Sequence, residues 1–211
     1  MCVPYVTSSL QEMKIIAGIL AILAATARHG LTVDGHNDAM NRICGWYRQW
    51  QQESPAGPWW PQWITREQLA CGQIRHPRPA RASWCYGTPG ISRALQQAAA
   101  VLADTALQRT AEQALAGCLT DPAQMKQVTS AGLCHGVAGI YQTAWRAAPD
   151  ALTPAIREQL PRLAGLLRSR SAEIAVPGLL DGAAGLALAQ RTAATPSRTP
   201  LSGWDACLLI N

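Results

Sequence analysis

Apolar positions along the chain gather into four alanine-rich blocks at about 15–27, 91–103, 137–148 and 183–191, separated by polar, proline-bearing stretches. Three blocks open on the same pattern, Gly-x-x-Gly-aliphatic: Gly87-Thr88-Pro89-Gly90-Ile91, Gly136-Val137-Ala138-Gly139-Ile140 and Gly182-Ala183-Ala184-Gly185-Leu186. The first glycines stand at 87, 136 and 182, steps of 49 and 46 residues. A period of that size fits one helical hairpin per unit, stacked on its neighbours to bury a face that no single hairpin can bury. Ile15-Ile16-Ala17-Gly18-Ile19 is a degraded fourth copy.

The units predict an all-α chain of about four hairpins. The first has an inner helix over 14–28, a turn at His29-Gly30 and an outer helix over 34–52. The second has an inner helix over 91–103, a cap at Asp104 or Thr105, and an outer helix over 106–119 that Asp121-Pro122 ends. The third runs from Gly136 to about Ala148, then restarts at Thr153-Pro154, with a kink expected at Pro161. The fourth starts at Leu180-Asp181-Gly182, where Asp181 is read as a cap, and a short apolar segment over 203–209 packs as a plug. Residues 1–13 read as an irregular lead-in and 14–211 as one domain, interrupted by a proline- and tryptophan-rich insertion at 53–80. Trp59, Trp60 and Trp63 in that insertion either cover a groove or contact a peptide, or else cap the end of the core. His29 and His36 read as solvated caps, and His76 as exposed.

Composition narrows the class. Of the 211 residues 48% are hydrophobic and 15% charged, where about 25% charged is usual, so one good core is expected. The net charge of +5 is scattered, without a basic stripe or interleaved aromatics, which argues against nucleic acid as a partner. Seven cysteines without close even spacing argue against a disulfide framework and for a reducing, cytoplasmic setting. The apolar run at 15–27 ends in Ala25-Thr26-Ala27 as a secretory signal would, but only Lys14, offset by Glu12, precedes it. It is also shorter than the ~20 residues of a membrane span.

Candidate chemistry sits directly before two of the glycine motifs. Cys85 lies two residues before Gly87, and Cys134 lies two before Gly136, with His135 between. Equivalent positions in adjacent stacked units are spatial neighbours, so the two sulfurs and the imidazole are expected to meet. Two thiolates and an imidazole suit Zn²⁺, and three protein ligands leave one tetrahedral position for chemistry. Cys44, Cys71, Cys118 and Cys207 lack partners at ligand spacing and read as small core residues.

Arg81-x-x-Trp84-Cys85-Tyr86-Gly87-x-Pro89-Gly90, Cys134-His135-Gly136-x-Ala138-Gly139, Leu180-Asp181-Gly182-x-Ala184-Gly185 and the late Trp204 together resemble the C-terminal portion of lanthionine synthetase C-like proteins, the lantibiotic cyclases. The resemblance implies an α/α toroid whose inner helices line the ring and whose connecting loops hold zinc. It implies Cys85, Cys134 and His135 as zinc ligands, with Arg81 and Tyr86 flanking the catalytic centre; Tyr86 could equally be packing beside it. Two departures stand out. The family's ring has seven double-helical layers, so a chain showing four is expected to be a truncated copy, lacking an acidic active-site residue of the other half. Where the family has Ala-His-Gly-Ile-x-Gly, this chain has Met13-Lys14-Ile15-Ile16-Ala17-Gly18, which puts Lys14 in place of an acid/base histidine.

The implied activity is lanthionine and methyllanthionine formation. A peptide cysteine, deprotonated at the zinc, adds to dehydroalanine or dehydrobutyrine in a dehydrated ribosomal precursor, and the resulting enolate is protonated at carbon. Histidine at ~6.5 suits that protonation better than lysine at ~10.4. Assembly with a dehydratase and self-association through an open toroid end are further expectations. Two other readings stand beside the enzyme: a zinc-binding remnant without activity, and a peptide- or thiol-binding module built on the tryptophan loop.

Overall fold

The glycine-initiated blocks form helices where the hydrophobic pattern predicts them. A computed structural model describes residues 11–74, 78–170, 176–195 and 202–211, with side chains from Ile15 onward. Strand β1 (Gln11–Glu12) leads into α1 (Met13–Arg28), and α2 (His36–Trp50) folds back as its partner. The insertion is more ordered than its composition predicts. β2 (Gln52–Ser54) and β3 (Gly57–Trp59) form a hairpin, and β4 (Trp63–Ile64) pairs antiparallel with β1, which gives the end of the expected lead-in a partner. Helix α3 (Arg66–Cys71) follows, started by a reciprocal capping box between Thr65 and Gln68.

The second hairpin is α4 (Thr88–Val101) with α5 (Thr105–Thr120), whose Asp104 cap accepts from the Leu107 amide. The short α6 (Pro122–Met125) bridges to the third hairpin, α7 (Val137–Ala147) and α8 (Leu160–Ser169). Pro161 does not kink an outer helix. The chain turns through a 3-10 segment, Arg157–Gln159, and α8 begins at Leu160, so Pro161 falls in its first turn, where a missing amide hydrogen costs nothing. Helix α9 (Ala183–Ala194) opens the fourth unit, and the final apolar segment is a 3-10 turn, Trp204–Leu208.

Inner helices pack in sequence, α1 on α4, α4 on α7 and α7 on α9, while α2, α5 and α8 lie against them on the outside. Every residue of α4 from Ile91 to Ala99 is buried, as befits a helix with neighbours on all sides. Two of the polar side chains that this burial traps, Arg93 and Gln96, belong to one hydrogen-bond network. Arg93, 2% exposed, donates to Gln96 and Asp150, and Gln96 donates to Glu112 and to the Ala147 carbonyl. The predicted plug is held by the same helix, since Arg93 Nε donates to the Ile210 carbonyl at 2.8 Å and Gln97 to that of Asn211 at 2.7 Å.

The repeated glycines have a steric cause. Gly87, Gly136 and Gly182 are the extended N-cap residues of α4, α7 and α9. Three residues on, a Cβ at Gly90, Gly139 or Gly185 would lie 1.8–1.9 Å from the carbonyl oxygen of Trp84, Leu133 or Leu179. The loop before each inner helix thus folds directly onto its first turn. No side chain fits between them.

Several single-residue expectations change. His36 is buried, with Nε2 2.9 Å from the Leu23 carbonyl, rather than a solvated cap. Cys44 and Cys118 are core residues, but Cys71 and Cys207 are exposed. Trp59 and Trp60 cap the core, Trp60 donating to the Tyr47 carbonyl at 2.9 Å, while Trp63 remains 41% exposed. His76 lies outside the described residues. Among the described residues no helix is long and apolar enough to cross a membrane.

Candidate metal centre

Layer stacking brings the loops that precede α4, α7 and α9 side by side. The Cys85 amide donates to the Cys134 carbonyl at 3.1 Å, and the Cys134 amide donates to that of Leu180 at 2.9 Å. These residues occupy the same register position, two before the first glycine, so the backbone itself forms a ladder across three layers. One position further on, Tyr86, His135 and Asp181 form a parallel row of side chains. The Tyr86 and His135 rings stack with centroids 6.4 Å apart and planes 22° from parallel. The His135 Nδ1 lies 3.7 Å from an Asp181 carboxylate oxygen.

The ligand atoms of Cys85, Cys134 and His135 all fall within 4.8 Å of one another, a spacing that one tetrahedral ion can bridge. All three residues are half-buried, open enough for a fourth ligand to approach. Burial, and then the adjoining Cys134 thiol, push the Cys85 thiol up to about 12. A thiol held in this way resists ionisation on its own, and a divalent cation is what turns it into a stable thiolate. The donor set therefore fits zinc.

Arg81 and Tyr86 border this group. An Arg81 guanidinium N–H donates to the Tyr86 hydroxyl oxygen, and Arg81 Cζ stands 5.6 Å from the Tyr86 ring centroid. Their loop is fixed from below by buried Ser83, whose carbonyl accepts from Gly87 at 3.2 Å and whose Oγ accepts from the Tyr86 amide at 3.4 Å. Asp181 does not cap α9, which has Gly182 at its N-cap and no side-chain cap bond. Its carboxylate instead faces the imidazole, and its register position, equivalent to that of His135, is the signal that marks it in the sequence. Lys14 belongs to the first turn of α1, and its side chain lies outside those described. Ile15, next to it, borders the same pocket as Cys85.

The family model for lanthionine synthetase C-like proteins matches residues 16–209. The chain belongs to this family. The solved structure of nisin cyclase is similar to it in fold, with a TM-score of 0.80 at 21% sequence identity. That match covers 92% of this chain and 48% of the cyclase, so this lanthionine synthetase C-like chain spans about half the cyclase's length. No curated protein sequence matches it. The expected architecture, a partial all-α toroid of about four hairpins, is the one observed.

Proposed function

We propose that this chain binds zinc through Cys85, Cys134 and His135 and closes thioether rings in a dehydrated ribosomal peptide. The observation that carries the reading is the convergence of these three donors within 4.8 Å, beside the Arg81–Tyr86 pair, in a member of this family. Zinc would supply Lewis acidity, letting a peptide cysteine lose its proton near neutral pH. The remaining work belongs to the protein. Sulfur bonds to the β-carbon of dehydroalanine or dehydrobutyrine as the carbon–carbon π bond opens, and its electron pair moves onto the carbonyl as an enolate. Arg81, whose guanidinium donates to the Tyr86 hydroxyl, is the group assigned to hold that negative charge in this reading. A proton delivered to the α-carbon balances the one lost from sulfur, so the product has the mass of the substrate.

Lys14 is the candidate source of that proton. The pocket shared by Ile15 and Cys85 supports locating the first turn of α1 at the site. An ordinary lysine, at ~10.4, is a slow donor at neutral pH, so Lys14→His is expected to accelerate the step. The module reading based on three tryptophans loses its support, because Trp59 and Trp60 are core.

The test is incubation of zinc-loaded protein with a dehydrated precursor peptide. Loss of free thiol at constant mass supports the cyclase. Stoichiometric zinc without thiol loss sinks it in favour of a zinc-binding remnant. We further propose a reducing, cytoplasmic setting and assembly with a dehydratase, to be checked by co-purification. The exposed stripe of Ile15, Ile19 and Ile22 on α1 supports self-association, which light scattering across a concentration series would detect.

A further inference from the structure

Cys85 is also one wall of an apolar pocket of about 310 Å³ lined by α1, α4 and the end of the chain. Ile15 and Gly18 of α1 form one side, Ile91 of α4 another, and the segment Leu208-Leu209-Ile210 closes the third. The third wall is rigid for a definable reason. Trp84 Nε1 donates to the Leu208 carbonyl at 3.0 Å, and buried Arg93 donates to that of Ile210 at 2.8 Å, pinning the backbone on both sides of Leu209. Between the pins, Leu209 adopts the left-handed conformation, φ 56° and ψ 33°, which a leucine keeps only where its surroundings over-determine it.

The facing wall is opened by a missing side chain. Gly18 sits inside α1, where glycine is unfavourable, yet a Cβ built there meets nothing within 4 Å among the described residues. Packing among the described residues does not demand this glycine. It leaves space in the pocket instead.

We propose that this pocket receives an apolar side chain adjoining the reacting cysteine of the substrate, with Gly18 and Leu209 determining specificity. The inference rests on the cyclase reading. A thiol brought to Cys85, Cys134 and His135 puts its neighbouring residue about 3.8 Å of chain away, within reach of a pocket that starts at Cys85 itself. A leucine-sized group buries its surface there, whereas a charged or hydroxyl-bearing neighbour finds no buried partner and loses its water.

Calorimetric titration of the zinc-loaded protein with acetylated, amidated Leu-Cys-Leu and Ser-Cys-Ser peptides tests this without requiring turnover. The leucine peptide is expected to bind at least about tenfold more tightly. Gly18→Leu, which fills the pocket while removing a helix-interior glycine, is expected to abolish that preference while zinc content stays at the parental level. Equal affinities in the parent chain, or a preference that survives Gly18→Leu, would overturn the pocket assignment and leave the cyclase reading standing. If neither peptide binds and no thiol is consumed from a dehydrated precursor, both fall together.

Discussion

The amide of Cys85 donates to the carbonyl of Cys134 at 3.1 Å, so the two candidate zinc ligands are joined through backbone across two layers. The loops carrying them are held against their helices by the glycine steps. Gly139 donates to the Gly132 carbonyl at 3.3 Å, and Gly90 donates to that of Ser83 at 3.4 Å. The convergence of the candidate ligands is therefore a consequence of how each inner helix begins.

Gly139→Ala should show this dependence directly. Its Cβ would fall 1.8 Å from the Leu133 carbonyl oxygen, a backbone atom that cannot rotate away. A loss on the order of 3 kcal/mol in unfolding free energy is expected, together with weaker zinc binding, because Cys134 and His135 lie on the displaced loop. Urea unfolding and metal analysis would measure both. Gly18→Ala, where a Cβ meets nothing, is the control and should be neutral or stabilising by up to about 1 kcal/mol.

Cys134→Ala removes one of the three proposed ligands and should reduce bound zinc below stoichiometry after dialysis against a weak chelator. Asp181→Asn should act more mildly. The carboxylate lies 3.7 Å from His135 Nδ1, longer than a hydrogen bond but close enough to act on the imidazole through its charge, and if it orients the ring its loss should weaken zinc affinity about tenfold. Competition with a chromophoric chelator would read both variants. Unchanged affinity in Asp181→Asn would mean that the contact does not orient the ring.

The repeat, the four inner helices and the three donors were legible in the sequence because each follows from a steric or covalent demand with a fixed period. A glycine whose Cβ would fall under 2 Å from a carbonyl oxygen leaves a visible mark, and the candidate ligands inherit its register. What escaped the pattern depends on tertiary pairing. The strands of the insertion are two or three residues long, too short for a periodic signal, and β4 exists because β1 lies beside it. Pro161 looked like a breaker because the turn before it, at 151–156, has no regular spacing to announce a late helix start. Asp181 looked like a cap because its sequence neighbours are those of a helix terminus, while its real counterpart, His135, is 46 residues away.

Tyr86→Phe isolates the Arg81 contact. Phenylalanine preserves the stacking on His135 and removes only the hydroxyl that receives the Arg81 N–H. Zinc content should be unchanged, and the rate of thiol loss from a dehydrated peptide should fall by about tenfold or more if Arg81 must be oriented to meet the enolate. A variant with parental rates would assign Tyr86 to packing alone.

The last wall of the pocket depends on a buried ion pair whose strength varies with pH. Asp205 is fully buried, and Arg146 grips it through two bonds, Nε to Oδ2 at 2.7 Å and Nη2 to Oδ1 at 2.6 Å, while Gln142 donates to Oδ2 at 2.5 Å. Burial alone would raise this carboxyl's pKa, but Arg146 and Gln142 outweigh it and hold the group below its ordinary value. With a depressed folded pKa, the unfolded chain binds more protons in the window beneath about pH 3.9, so the stabilisation is complete above that window and is lost as pH falls through it. Asp205→Ala should therefore cost about 3 kcal/mol at neutral pH, most of it from leaving Arg146 without its partner. The gap between variant and parent should narrow at pH 3, as measured by denaturant unfolding at both values. Because the turn Trp204–Leu208 leads straight into Leu209 and Ile210, the same substitution should also weaken the leucine-peptide preference while zinc stays bound. A stability gap of equal size at both pH values would show that Asp205 contributes through packing and not through its charge.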